Sequence, residues 1–137
     1  MAYDTGFDID IPYAALLGIH KLSQTPGSVE VGLSIKPALM NSWGVAHGGA
    51  VMSLLDVTMG MSARSIDPAS NGATTVELKT NFIAGANGDI KAVGHAHRAG
   101  RSLVFVEAEV RDAAGKLLAK ATGTFKLRFP VVPKDAS

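Results

Sequence analysis

Residues 47–66 read HGGAVMSLLDVTMGMSARSI, and this stretch decides the fold. After the two glycines, apolar residues recur at helical spacing and occupy nearly the whole circumference of the predicted helix. Asp56 is the only formally charged side chain between His47 and Arg64. Because a helix that is apolar on all sides is normally covered by other structure, we expect a buried central helix over about residues 48–66.

The segments on either side of this helix favour strands. Residues 29–35 alternate apolar and polar side chains, as a half-buried strand does. Four more strands are predicted downstream, at about 74–83, 90–97, 103–111 and 117–129. Short turn signals separate the last three of these, which should therefore form an antiparallel meander. Residues 12–19 predict a short helix, with a proline in its first turn and a glycine near its end.

This order of elements leaves no second layer of helices to cover a parallel sheet. We therefore predict an α+β fold in which an antiparallel sheet of five to six strands wraps around one long central helix. The 137 residues suit a single domain over residues 1–137, with a flexible tail from about residue 131.

Composition narrows the choice of partners and compartment. The net charge of +1 gives the chain no overall attraction for nucleic acid. Cysteine is absent, which excludes disulfides, thiolate metal sites and a cysteine nucleophile. No apolar run approaches the roughly 20 residues of a membrane span, and the N-terminus lacks the basic start of a signal peptide. We expect a cytoplasmic protein that binds neither nucleic acid nor a membrane.

Asp56 is the first candidate for chemistry. A carboxylate in an apolar helix is expensive to bury unless another group pairs with it or a reaction uses it. The structural alternative is an Asp that points outward at the edge of the helix or caps a backbone group. Apolar neighbours on every side favour the functional interpretation.

His47, Gly48 and Gly49 at the entry to the helix are the second candidate. Two glycines cost helix propensity, so they indicate a close approach to the backbone or a positive φ. Free N–H groups at the start of a helix suit an oxyanion or a polarised carbonyl, although a plain turn with a cap is the alternative. Neither of the glycine-rich phosphate motifs is present.

The spacing of these two candidates has a geometric consequence. Gly48 and Asp56 are eight residues apart, so a helix separates them by about 12 Å along its axis. They cannot both touch one carbonyl within a single chain. If both act on one reacting group, two subunits must share each site, which predicts two equivalent sites in a two-fold dimer.

Metal and serine chemistry are weaker possibilities. His95 and His97 fall on one face of a strand, and His47 and Asp56 are further potential ligands, but no additional ligand stands at a metal-site spacing. We therefore expect no metal site. No serine lies in a G-x-S-x-G motif.

Residues 41–49, NSWGVAHGG, followed by Leu54-Leu55-Asp56, resemble the hotdog-fold acyl-CoA thioesterases, most of all the phenylacetic-acid-pathway (PaaI-like) subfamily. The similarity extends to residues 72–78, to Asn81-Phe82 and to residues 112–125, and so covers most of the chain. The resemblance implies a hotdog fold and hydrolysis of acyl-CoA to free acid and CoA. Coenzyme A is then part of the substrate, and no cofactor is needed.

The resemblance also assigns roles to single residues. Asp56 matches the family's catalytic carboxylate, which acts as nucleophile or as general base. Gly48 matches the glycine whose N–H polarises the thioester carbonyl. Asn41 matches an asparagine near the reacting group, Thr75 matches a Ser/Thr that helps to hold water, and His47 matches a histidine that orders the loop.

The sequence departs from the family at one position. Some relatives carry a hydroxyl residue one turn beyond the carboxylate, where this chain has Gly60. Any polar assistance from that position is missing.

Candidate substrate contacts follow from residue type. Methionine side chains adapt to varied shapes and suit an acyl pocket, although core packing explains them equally well. Basic side chains suit the CoA phosphates, although a solvated strand face explains those equally well. The candidate substrate-binding residues are Gly49, Met52, Met59, Lys91, Arg98 and Arg101.

The family further implies a homodimer with shared sites. Both this dimer and a homotetramer built as a dimer of dimers stay open at the level of the sequence. Three other functions stay open at this point. They are a non-catalytic acyl-CoA-binding hotdog protein, an acyl-CoA hydratase, and a structural or partner-binding domain in which Asp56 is a paired core residue.

Overall fold

Two α-helices and six strands follow one another in residues 3–131, the part of the chain that the computed structural model describes. The tail predicted from about residue 131 lies outside this range, apart from its first residue. In chain order the elements are α1 (Pro12–Leu17), β1 (His20–Thr25), β2 (Ser28–Ser34), a short 3-10 turn (Pro37–Leu39), α2 (Gly48–Ser65), β3 (Gly72–Phe82), β4 (Asp89–Arg98), β5 (Leu103–Asp112) and β6 (Leu117–Arg128).

All six strands join one antiparallel sheet in the order β1-β2-β4-β5-β6-β3. The α+β fold is confirmed, and so is the meander, because β4, β5 and β6 are consecutive neighbours. After α2 the chain enters β3, which among the described strands pairs only with β6 and forms one edge of the sheet. The opposite edge is β1.

Strand β1 is the element that the sequence pattern does not predict. Five of its six side chains are exposed and its only large apolar residue is Leu22, so apolar side chains do not alternate along it. It forms because a tight turn at Gly27, with φ 84°, folds it back onto β2.

Helix α2 packs on one face of this sheet and forms the core with it. Leu54, Leu55 and Met59 are fully buried there. The close approach depends on Gly94 in β4, where an added Cβ would lie 2.4 Å from the Ser62 hydroxyl oxygen of α2. Any larger residue at that position would push the helix away from the sheet.

The other side of α2 is not covered within the single chain, contrary to the expectation of a helix wrapped on all sides. Met52 is 38% exposed, and Asp56 and Val57 are only half-buried. Helix α1 contacts this side through the Tyr13 hydroxyl, which lies 2.9 Å from the Ser53 hydroxyl. A helix that is apolar nearly all round therefore keeps one face open beside the edge strand β3.

Candidate active site

Asp56 lies in the middle of α2, on its partly open side. The Thr75 hydroxyl donates a hydrogen bond of 2.6 Å to Oδ1 of Asp56. Within residues 3–131, Oδ2 receives no hydrogen bond. Thr75 therefore fixes one carboxylate oxygen and leaves the other available to a water or a substrate carbon.

A β-bulge in β3 brings Thr75 to this position. Thr75 pairs with Phe125 of β6 and Glu77 pairs with Thr124, so Val76 between them has no partner. Regular alternation would place Thr75 and Leu78 on opposite faces, because they are three residues apart. The bulge puts both on the helix side. Val76 is therefore the extra residue of the bulge, which the strand predicted at about residues 74–83 does not include.

The N-terminus of α2 is capped by His47, as the expected ordering role requires. Its Nδ1 accepts a hydrogen bond of 2.8 Å from the N–H of Gly49. That bond requires a lone pair on Nδ1, so the proton of the neutral ring sits on Nε2. The imidazole is thus tied to the first turn of the helix.

Gly48 is the first residue of α2, and its N–H donates no hydrogen bond within the described residues. The N–H of Gly49, by contrast, is already used by His47. An added Cβ on Gly49 would lie 3.0 Å from the His47 Nδ1 and would disturb the cap. Gly48 is therefore the available donor, and Gly49 keeps the cap in place.

Asn41 organises the loop that leads to this helix. Its Oδ1 accepts hydrogen bonds from the N–H groups of Trp43 (2.9 Å) and Val45 (3.4 Å). Its own N–H donates to the Val45 carbonyl at 2.8 Å. The side-chain amide nitrogen of Asn41 has no partner in residues 3–131, so it stays available at the rim of the site.

The candidate residues fall into two cavities of the single chain. Gly48 and Asn41 line a cavity of about 450 Å³. Asp56 and Met52 line another of about 240 Å³. The two cavities share no lining residue. The structure therefore brings Asn41 to Gly48, and Met52 and Thr75 to Asp56, but it keeps the two groups apart.

Met59 does not reach either cavity. Its side chain is fully buried in the core, where its Cε would lie 3.1 Å from a Cβ added to Gly123 of β6. Met59 therefore packs between the helix and the sheet and does not have the substrate-binding role expected of it.

The three basic candidates for the CoA phosphates do not form one cluster. Lys91 and Arg98 lie near opposite ends of β4, seven residues apart, which corresponds to about 23 Å along a strand. Lys91 is paired with Glu30 at 3.2 Å. Arg98 is paired with Asp67 at 3.1 Å and also donates to the carbonyls of Gly100 and Arg101. Only Arg98 and the exposed Arg101 share one turn, so no single phosphate can meet all three.

His95 and His97 of β4 lie on the exposed side of the sheet. His95 faces Glu107 across the strands, and His97 Nε2 lies 3.9 Å from the Glu107 carboxylate. Across residues 3–131, no three side chains of the metal-ligating types gather closely enough to hold a metal ion. None of the described helices is long and apolar enough to cross a membrane.

The cavities also contain residues that were not singled out from the sequence. Trp43 and Phe82 line the cavity of Gly48, and both stand inside stretches that carry the family resemblance. Tyr13 and Ser53 line the cavity of Asp56. No sequence signal marks Tyr13, because its position depends on how α1 docks on α2.

Comparison with known proteins identifies the family of the chain. The family model of the thioesterase superfamily matches residues 44–119, which include the start of α2 and Asp56. The conserved protein PA5202 of Pseudomonas aeruginosa is 40% identical, with a TM-score of 0.78, and the match covers 86% of this chain and 94% of that one. "Putative esterase SSO2140" of Saccharolobus solfataricus is 34% identical over 80% of this chain and 78% of its own length.

The fold has a parallel in the Escherichia coli PaaI protein of the phenylacetic acid degradation operon. That structure gives a TM-score of 0.81 at 18% identity and covers 90% of this chain and 89% of its own, which shows a shared fold. The hotdog fold that the motif implied is thus confirmed. The chain belongs to the thioesterase superfamily and is a thioester or ester hydrolase.

Proposed function

We propose that the chain hydrolyses acyl-CoA thioesters to free acid and CoA, in sites where Asp56 of one subunit faces Gly48 of another. The half-buried Asp56 carboxylate carries the proposal. Thr75 holds one of its oxygens at 2.6 Å, and the other has no partner in residues 3–131. An oriented carboxylate with one available oxygen is what attack on a carbonyl, or activation of a water, requires.

Gly48 supplies the complementary electrostatic group. Its N–H lies in the first turn of α2, where the helix dipole is positive, and His47 and Gly49 fix that turn. A donor held in this way stabilises the negative charge that develops on the carbonyl oxygen as the tetrahedral intermediate forms. Because the donor is the backbone itself, it needs no reorganisation during the reaction.

Asp56 then completes the hydrolysis by one of two routes. As a general base it removes a proton from the water that attacks the carbonyl carbon. As a nucleophile it forms a mixed anhydride that water then cleaves. In both routes the CoA thiolate leaves, and it needs little help from an acid because a thiol is far more acidic than an alcohol.

Sharing between subunits follows from the separation of the two groups. They belong to one continuous helix, eight residues apart, or about 12 Å. The open side of α2 borders β3, an edge strand of 11 residues with exposed Val76 and Phe82. Such an edge readily pairs with another chain. A second copy docked there would bring its own Gly48 cavity towards Asp56 in a two-fold dimer; pairing of two such dimers would give the tetramer.

Arg98 and Arg101 on the turn between β4 and β5 are the basic residues that we keep as contacts for the CoA phosphates. The ion pair between Arg98 and Asp67 places this turn beside the C-terminal end of α2. Surface ion pairs of this kind contribute little to stability, so the pairing with Asp67 would not prevent Arg98 from contacting a phosphate group.

The substitution Asp56→Asn tests the proposal, because it keeps the shape of the side chain and removes its charge. We expect the wild-type protein to release CoA from at least one member of an acyl-CoA panel, and the variant to lose that activity while its thermal unfolding stays cooperative. Unchanged hydrolysis by the variant would contradict the role of Asp56. Tight binding of acyl-CoA by the wild type without any CoA release would identify a non-catalytic binder instead.

A further inference from the structure

Trp43 is the largest apolar side chain that the structure leaves in water, with 86% of its surface exposed. Its backbone is nevertheless held firmly. The Trp43 N–H donates to Oδ1 of Asn41 at 2.9 Å, and the N–H of Gly44 donates to the Asn41 carbonyl at 3.2 Å. The indole therefore projects from an ordered loop. Its large apolar surface is exposed and can contact a ligand.

The indole stands at the cavity that contains Gly48. Among the described residues that line this cavity, the other side chains are apolar, such as Val45, Val51 and Leu118, apart from the polar side chain of Asn41. The Phe82 ring lies against Gly48 itself, 3.5 Å from the position of an added Cβ. The cavity that contains the Gly48 N–H thus has two aromatic rings, Trp43 and Phe82, in its walls.

We propose that Trp43 covers the acyl group of the bound thioester and sets the preference for acyl size. The proposal rests on the function proposed above. A carbonyl at the Gly48 N–H has the acyl group on one side and the pantetheine arm on the other. The pantetheine arm carries two amides, which would lose hydrogen bonds to water in a cavity with one polar side chain. An acyl group loses nothing there and gains contact with the indole.

Kinetics on two substrates test this role. For hexanoyl-CoA, Trp43→Ala should lower kcat/KM by about ten-fold, because the contact with the outer part of the chain is lost. For acetyl-CoA, whose acyl group is too short to reach the indole, we expect a change below about two-fold. Trp43→Phe, the matched control, should keep most of the preference for the longer chain. An equal loss on both substrates, or no loss on either, would overturn the assignment.

Fluorescence gives a direct readout, because Trp43 is the only tryptophan in the sequence. The probes are S-hexyl-CoA, a thioether that cannot be hydrolysed, and free CoA. We expect the free protein to show the red-shifted emission of an indole in water. Saturating S-hexyl-CoA should shift this emission to the blue, whereas free CoA should leave it unchanged.

Three outcomes would overturn the inference, and they have different meanings. Unchanged emission with S-hexyl-CoA bound, as measured by calorimetry, would place the ligand away from Trp43. Emission that is already blue in the free protein and shifts to the red on dilution would show that a second copy covers the indole. Absence of S-hexyl-CoA binding together with absence of CoA release from every member of the acyl-CoA panel would remove the proposed function itself, and this inference with it.

Discussion

Among the residues that the structure describes, one side chain restrains the Asp56 carboxylate, through the Thr75 hydroxyl at 2.6 Å. A hydrogen bond to a charged group contributes about 1.5–3 kcal/mol. Thr75→Val keeps the shape of the side chain and removes the donor, so we expect kcat to fall about 10- to 100-fold while the fold is retained.

Thr75→Ser is the matched control for this prediction, because serine keeps the hydroxyl and loses only a methyl group. It should retain most of the wild-type kcat in an assay of CoA release. Full activity in Thr75→Val would show that Asp56 needs no orienting donor, and equal losses in both variants would point to packing as the cause.

The sequence predicts a site residue well when that residue type is unfavourable in the predicted element around it. Asp56 is a charge in an apolar helix, and Gly48 and Gly49 are glycines at its start. Met59 and Lys91 are not unfavourable in their predicted elements. A methionine is common both in a core and in a pocket, and a lysine is common on any solvated strand. Only their positions in the folded chain tell these uses apart.

At the scale of elements, the bulge in β3 offers a test of register. Val76 is the extra residue, so its deletion would leave Thr75 and Leu78 on the same face in a regular strand. We expect the deletion variant to fold with a moderate loss of thermal stability. Deletion of Lys79 in the same strand would instead turn one half of β3 over, which would move either Leu78 away from α2 or the Phe82 ring away from Gly48.

Thermal unfolding followed by circular dichroism compares the two deletions. The Val76 deletion should melt cooperatively at a clearly higher temperature than the Lys79 deletion. The reverse order would mean that β3 and β6 do not pair in the register described.

The elements differ in how far the sequence predicts them. Helix α2 and strands β2 to β6 follow from apolar periodicity, because α2, β2, β4, β5 and β6 bury residues in the core and β3 packs the half-buried Ala73 and Leu78 against it. Strand β1 buries almost nothing and is formed by pairing with β2. The bulge at Val76 leaves no mark on the pattern, since Val76 suits a regular strand as well as a bulge.

At the scale of the whole molecule, one helix carries both proposed catalytic groups yet places them in separate cavities. Under the proposed mechanism, a single chain is therefore incomplete as a catalyst. In the proposed dimer, the second copy would also cover the side of α2 that the single chain leaves open.

The most direct test of sites shared between subunits is complementation between two inactive variants. Asp56→Asn removes the carboxylate. Gly48→Pro removes the N–H at the first position of α2, where proline is tolerated. The ψ of 139° at His47 is also compatible with a following proline. Each homodimer has two damaged sites, whereas a heterodimer has one doubly damaged site and one intact site.

The measurement is CoA release after the two variants are unfolded together in equal amounts and refolded, with heterodimers verified by native mass spectrometry. If subunits mix at random, half of the dimers are heterodimers with one intact site of two, so we expect about one quarter of the wild-type activity. No recovery of activity in a sample that contains heterodimers would contradict a site built from Asp56 of one subunit and Gly48 of another.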